Sequence, residues 1–134
     1  MKKIEHIGIA VQDIEASNKV FSKIFGKESY KSEYVESESV VTSFFQVGES
    51  KIELVSATNL DSSILKYLDK YGEGMHHIAF DVSDIKEEMK RLQSNGIRTL
   101  NDHPKQGADN KLICFLHPKD TNGVLIELCQ KIGR

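Results

Sequence analysis

The chain contains an internal repeat, and this feature restricts its possible folds more than any other. The segments HIGIAVQDI (residues 6–14) and HIAFDVSDI (residues 77–85) share five of nine residues and begin 71 positions apart. An IEL triplet follows in each half, at residues 52–54 and 126–128. A period of this length exceeds that of the common solenoid repeats and indicates a duplicated module. Each half, with about 65 residues, would be marginally stable alone, so we expect the halves to pack together.

Hydrophobic periodicity and capping residues predict the same β-α-β-β-β order in both halves. The predicted strands of the first half cover residues 4–11, 29–35, 40–47 and 51–55. Those of the second half cover residues 75–82, 97–100, 112–116 and 124–129, and residues 101–111 are expected to form a loop. A further short helix is predicted within residues 59–71, which link the halves. The predicted fold is therefore α+β, with two βαβββ modules (residues 4–56 and 75–130) pairing into one curved mixed sheet within a single domain of 134 residues.

Each module is predicted to contain one capped helix. Asp13 is a suitable N-cap for the first, which is expected to end near Phe25, and its apolar stripe is predicted at Ala16, Val20 and Ile24. The second helix begins after the cap residue Asp84, and its predicted stripe is Ile85, Met89 and Leu92.

Composition excludes several classes of function. The net charge of −2 gives no general attraction to nucleic acid or to anionic membranes. No apolar run approaches the roughly 20 residues that a membrane-spanning helix needs. The start, Met1-Lys-Lys, leads into a strand without an apolar signal segment, so we expect a cytoplasmic protein. Cys114 and Cys129 lack metal or redox spacing, and we expect both to be free thiols.

Four residues in matched positions of the repeat are candidate metal ligands. His6 and His77 open the two repeated strands, and Glu53 and Glu127 are the central residues of the two IEL triplets. Strand alternation gives His6 the same face as Gly8, and His77 the same face as Ala79, which leaves room beside each histidine. A single histidine in a strand is more often structural than a metal ligand. Two histidines and two glutamates at equivalent positions of a repeat are not expected by chance, which favours a shared function as ligands.

The apolar neighbours of both glutamates predict that the carboxylates point into the sheet interior. A buried carboxylate is costly unless it is paired or binds a metal. Two imidazole nitrogens and two carboxylate oxygens suit Zn, Ni, Co, Mn or Fe better than Ca or Mg. Four ligands leave coordination positions for water or substrate oxygens, which indicates a catalytic ion. His76, His103 and His117 have no partner in the repeat, and we interpret His76 as structural.

The duplicated modules and their four candidate ligands resemble those of the vicinal oxygen chelate superfamily. Within that superfamily the chain most closely resembles the methylmalonyl-CoA epimerase family. The segments that carry the resemblance are HIGIAVQDIEAS, KIELV, NLDSSILKYLDKYGEGMHHIAFDVSDI and FLHPKDTNGVLIEL. They extend over almost the whole chain, and the linker and the C-terminal segment are the most specific of them. The resemblance implies a glyoxalase-like fold and a divalent ion (Co, Ni, Zn or Mn) bound by His6, Glu53, His77 and Glu127.

The resemblance also implies a reaction. Epimerisation at the α-carbon of methylmalonyl-CoA would proceed through a metal-stabilised enolate, with two proton-transfer groups on opposite sides of the carbon. Glu127 and Glu53 are the expected groups. Some family members have a glutamate in the preceding strand, where this chain has Thr42, so Glu36 and Glu38 remain alternatives for the second group.

Other functions stay open at this point. Lactoylglutathione lyase uses the same ligand types on a glutathione hemithioacetal, and Glu53 in place of glutamine is compatible with it. A binding protein without metal is a third option, although such relatives generally lack the four ligands. The expected partners are an acyl-CoA or a glutathione thioester, with Lys105, Lys111 and Lys119 as candidate phosphate-binding residues in loops. A homodimer is an open option, because relatives are often dimers.

Overall fold

The computed structural model describes residues 1–133, which form two compact units. We call residues His6–His76 the N-terminal unit, and Met1–Glu5 together with His77 onward the C-terminal unit. The elements follow the order β-α-β-β-β, then a helix, then β-α-β-β-β. The predicted α+β class is therefore confirmed. The division of one domain into modules at residues 4–56 and 75–130 stays a prediction.

The N-terminal unit contains four strands and two helices. Their bounds are β1 (Lys3–Ala10, whose first residues belong to the C-terminal unit), α1 (Ile14–Phe25), β2 (Lys31–Val35), β3 (Val40–Val47), β4 (Ser50–Ala57) and α2 (Ser63–Tyr71). The strand order is β2-β3-β4-β1, in which only β1 and β4 run parallel. A single 3-10 turn, Glu36–Glu38, connects β2 to β3.

The C-terminal unit repeats this arrangement. Its elements are β5 (Gly74–Asp81, which begins in the N-terminal unit), α3 (Ile85–Ser94), β6 (Lys105–Gln106), β7 (Lys111–Phe115) and β8 (Ile126–Lys131). The order is β5-β8-β7-β6, and again only the first pair, β5 and β8, is parallel. The repeat seen in the sequence is thus preserved in the pairing pattern of the strands.

The first helix has the predicted ends but not the predicted apolar face. The Asp13 carboxylate accepts hydrogen bonds from the first turn, and Gly26 ends the helix with φ of 69°. Its stripe of Ala16, Val20 and Ile24 is exposed, so that part of the prediction is wrong. The core-facing side chains are instead Ile14, Phe21 and Phe25, which pack with Phe45 and Leu54. Two phenylalanines bury more apolar area against the sheet than alanine, valine and isoleucine would, and this decides the rotation of the helix.

The second helix follows its prediction. Ile85 and Met89 are buried, and Leu92 packs beside them against Leu116 and Leu128. The Asp84 carboxylate accepts a hydrogen bond from the backbone of Glu87, as expected of an N-cap.

One predicted strand of the second half is wrong. Residues 97–100 form no strand, and only Thr99 makes an isolated bridge, to Leu116. The backbone of His117 donates to the Arg98 carbonyl and that of Leu100 to the Phe115 carbonyl, so the segment makes one bridge beside the end of β7 but no ladder. The second strand of this module is the two-residue β6, which lies inside the expected loop.

Both cysteines are free, as expected, and both are buried. Cys114 lies in β7 and Cys129 in β8, both in the C-terminal unit. Burial raises the pKa of each thiol, and the negative charges of Glu127 and Glu5 raise that of Cys129 further. Among the helices of residues 1–133, none combines the length and apolar character needed to cross a membrane.

Candidate functional site

The N-terminal unit contains a buried pair formed by His6 of β1 and Glu53 of β4. The parallel register places Gly8 directly opposite Glu53, two residues after His6. Because Gly8 has no side chain, the Glu53 carboxylate has room to reach back toward the histidine. Nε2 of His6 lies 3.4 Å from Oε1 of Glu53. Each residue is only 5% exposed, so the carboxylate is not a solvent-facing group.

The C-terminal unit contains an equivalent pair, His77 of β5 and Glu127 of β8. Here the parallel register places Ala79 opposite Glu127, again two residues after the histidine. Nε2 of His77 lies 3.1 Å from Oε1 of Glu127. The two residues are 8% and 5% exposed. In both units, then, a small residue follows the histidine by two positions and faces the glutamate across a parallel pair of strands.

A phenylalanine lies beside each glutamate, which the sequence analysis missed. Phe44 of β3 pairs with Glu53, and Phe115 of β7 pairs with Glu127. The ring of His77 also meets the Phe115 ring edge-on, with 5.9 Å between centroids. Such apolar neighbours make an uncompensated carboxylate costly, so each glutamate needs a cationic partner. Each phenylalanine lies in the strand that precedes the glutamate strand, at an equivalent place in the two halves of the repeat. This equivalence was the signal in the sequence that could have identified them.

The donor set and geometry of each pair suit a bound metal ion. Nitrogen and oxygen ligands bind Zn²⁺ at about 2.0–2.2 Å, so two ligand atoms at a right angle on one ion lie about 3 Å apart. The His6–Glu53 and His77–Glu127 separations are close to this value. The same distances also allow a charge-assisted hydrogen bond when the imidazole carries the proton. Each pair is therefore able to hold a proton or to supply two ligands.

The residues considered for the second proton-transfer role differ in their surroundings. Thr42 is buried, and its hydroxyl donates a hydrogen bond of 3.4 Å to the carbonyl of Glu33 on β2. Glu36 is exposed, whereas Glu38 is partly buried and has one fully buried carboxylate oxygen. Of the two alternatives, Glu38 is therefore the better shielded from water.

The remaining histidines have other surroundings. The His76 ring packs edge-on against the Tyr67 ring with 4.9 Å between centroids, which agrees with a structural role. His103 is exposed. Nδ1 of His117 accepts a hydrogen bond from the backbone of Lys119 and so caps the 3-10 turn Pro118–Asp120.

The expectation that three lysines lie in loops is wrong for two of them, Lys105 and Lys111. Lys119 is exposed in the turn Pro118–Asp120, and Lys105 begins β6. Lys111 instead begins β7 and is buried, with ion pairs to Glu5 and Asp109. A buried ammonium held by carboxylates is a poor candidate for binding the phosphates of a large ligand. Glu5, which directly precedes His6, was not identified from the sequence.

Comparison with known proteins adds independent observations. The family profile described as Glyoxalase/Bleomycin resistance protein/Dioxygenase superfamily matches residues 5–115. An ethylmalonyl-CoA/methylmalonyl-CoA epimerase from Cereibacter sphaeroides is 37% identical over 130 residues, which cover 96% of this chain and 97% of that protein. The human mitochondrial methylmalonyl-CoA epimerase is 36% identical over 129 residues, which cover 96% of this chain and 73% of that protein.

Solved structures give the same result. A variant methylmalonyl-CoA epimerase from Streptomyces coelicolor, in complex with 2-nitronate-propionyl-CoA, superposes with a TM-score of 0.95. It is 35% identical in sequence, and the match covers 99% of this chain and 96% of that one. The predicted glyoxalase-like fold is therefore confirmed, as is the resemblance to the epimerases.

Proposed function

Because the chain belongs to the glyoxalase/bleomycin resistance protein/dioxygenase superfamily, we propose that it is a methylmalonyl-CoA epimerase. The observation that carries this proposal is the similarity to epimerases over almost the full length of the chain. The substrate would be an acyl-CoA whose α-carbon lies between a thioester and a carboxylate. The two flanking carbonyl groups acidify the hydrogen on that carbon, so that a carboxylate base is able to remove it.

The four ligand candidates are proposed to hold one divalent ion, namely Co, Ni, Zn or Mn. His6, Glu53, His77 and Glu127 form two equivalent buried pairs, each with a ligand spacing suited to a metal. Membership of the superfamily and the duplication of the module support a single ion shared by both pairs. When bound, the ion supplies Lewis-acid polarisation of substrate oxygens.

Proton transfer is proposed for the carboxylates of the same pairs. As the α-carbon loses its proton, the C–H bond breaks, a glutamate oxygen takes the proton, and the electron pair moves toward the thioester carbonyl. A second group then returns a proton to the opposite face. Glu127 is the primary candidate and Glu53 the second, since they belong to equivalent positions of the two modules. Glu36 and Glu38 are the alternatives to Glu53, and Glu38 is the better shielded of the two from water.

The proposal is tested by two assays on the same metal-loaded protein. One follows deuterium incorporation at the α-carbon of methylmalonyl-CoA in D₂O. The other follows formation of lactoylglutathione from methylglyoxal and glutathione. We expect activity in the first assay only. Activity in the second alone would favour a lactoylglutathione lyase, and a protein that binds no divalent ion and is inactive in both would favour a binding function.

Two further parts of the proposal concern the protein in its cell. We expect a cytoplasmic protein, which fractionation of the producing cells would test. We also keep the homodimer as a prediction, and sedimentation equilibrium is the direct measurement.

A further inference from the structure

The C-terminal unit contains a buried ion cluster apart from the His77–Glu127 pair. Nζ of Lys111 lies 3.7 Å from Oε1 of Glu5 and 3.4 Å from Oδ2 of Asp109. Lys111 is 6% exposed and Glu5 is 4% exposed. Removing charged groups from water to this extent is costly even when they are paired. A hydrophobic side chain at position 111 would avoid that cost, so the retained charge calls for a functional explanation.

The hairpin that carries Lys111 is firmly held. The backbone of Gly107 donates to the carbonyl of Lys111, and a Cβ at Gly107 would lie 2.7 Å from Cδ1 of Ile113. Asn110 exchanges two hydrogen bonds with Ile132, one through its carbonyl and one through its side-chain amide. The ammonium group therefore projects from a backbone with little freedom to move.

The cluster is connected to the candidate ligands in three ways. Along β7, Lys111 and Phe115 are four residues apart and share a face, and Phe115 pairs with Glu127. On β8, Cys129 follows Glu127 by two residues and shares its face, and Sγ of Cys129 lies within 4.8 Å of a carboxylate oxygen of Glu5. Glu5 is also joined by a peptide bond to His6. A restraint on Glu5 is thus a restraint on the backbone from which His6 projects.

We propose that Lys111 is a positioning residue of the metal centre, acting through Glu5 to hold β1 at His6. This inference rests on the proposed function, since it assumes that His6 binds the ion. Neither Lys111 nor Glu5 touches the substrate in this role. Their ion pair fixes the backbone next to a ligand, in the same way that groups behind metal ligands commonly tune affinity.

Cobalt binding provides the test, because the absorption of bound Co²⁺ reports both affinity and coordination geometry. Lys111→Met and Glu5→Gln are expected to weaken Co²⁺ binding by roughly 10–100-fold and to change its visible spectrum. The double variant should bind no more weakly than the weaker single variant, because both changes break one interaction. Lys111→Arg, which keeps the cation, should retain most of the affinity.

Lys131→Met is the matched control. Lys131 lies directly opposite Lys111 in the β7–β8 ladder but is exposed, so its removal should leave binding and spectrum unchanged. Folded Lys111→Met and Glu5→Gln proteins with wild-type affinity and spectrum would overturn the inference, as would additive losses in the double variant. Should Lys111→Met not fold, Glu5→Gln alone decides between these outcomes. Failure of the wild-type chain to bind Co²⁺ would instead contradict the proposed metal centre itself.

Discussion

At the level of single residues, the two histidine–glutamate pairs depend on the size of a neighbouring side chain. The sequence showed that Glu53 and Glu127 have apolar neighbours, and from this their burial could be predicted. It could not show that Gly8 and Ala79 stand opposite them, because strand register depends on the packing of whole strands. Glu5 was missed for a related reason, since its partner Lys111 is distant in sequence.

Substitution of each glutamate tests the assignment of the proton carriers. Glu127→Gln should retain metal and lower epimerisation by roughly 10²–10⁴-fold, the usual contribution of a positioned acid or base. If Glu53 serves the opposite face, each variant should still exchange the α-proton of one epimer, and the two variants should prefer different epimers. Nuclear magnetic resonance of each pure epimer in D₂O separates exchange from inversion.

Glu15→Gln, at an exposed position of α1, is the control for these measurements and should behave as wild type. Full epimerase activity of Glu127→Gln with wild-type metal content would contradict the role of Glu127. Normal activity of Glu53→Gln together with loss in Glu38→Gln would transfer the second role to Glu38.

At the level of elements, helix boundaries were predictable and one helix face was not. Asp13 and Asp84 indicated where α1 and α3 begin, because capping is a local interaction. The face of α1 depends on which side chains meet Phe45, a contact between distant residues. The absence of a strand at residues 97–100 has a similar origin, because the backbone N–H of Ile97 bonds to Leu92 and that of Arg98 to the Asp120 carboxylate, and a single bridge at Thr99 joins the segment to Leu116.

The 3-10 turn Pro118–Asp120 gives a prediction about pH. Arg98 donates from Nε, Nη2 and its backbone to the Asp120 carboxylate, and these bonds hold the pKa of Asp120 well below its usual range. Because the folded pKa is lower than the unfolded value of about 3.9, the stabilisation is present above that value and is lost as the pH falls. Asp120→Asn should therefore reduce stability at neutral pH, and the difference from wild type should shrink in acid.

Urea denaturation at a series of pH values measures this difference. Asp102→Asn, at an exposed position between Arg98 and β6, is the control and should show little effect. A stability difference for Asp120→Asn that stays constant from neutral pH to strongly acidic solution would contradict the assigned cause.

At the level of the whole molecule, duplication gives each unit its own apolar core. Leu54 is fully buried with Val11 and Phe45 in the N-terminal unit, and Leu128 is fully buried with Val82 and Ile85 in the C-terminal unit. Both leucines belong to the repeated IEL triplets. The repeat therefore predicted the core positions beside both glutamates, which shows that one pattern specifies packing and candidate chemistry together.

Metal binding should be linked to the stability of the whole chain. An ion that binds only the folded state at about 100 times its Kd adds roughly 2.7 kcal/mol to the free energy of unfolding. We expect Co²⁺ to raise the melting temperature and a chelator to reverse the increase. His77→Ala should abolish the response, whereas His103→Ala, at an exposed histidine, should preserve it. An equal response in His77→Ala would exclude His77 as a ligand.

The position of the two cysteines has a practical consequence for studying this chain. Thiolates, not thiols, react with alkylating and disulfide reagents, and burial both shields Cys114 and Cys129 and keeps them protonated. The two thiols therefore react with a labelling reagent only after β7 or β8 opens locally. When the strand recloses faster than the open thiol reacts with the reagent, the labelling rate is proportional to the population of the open form. Because both thiols belong to the C-terminal unit, the chain carries a native chemical reporter that senses opening of that unit.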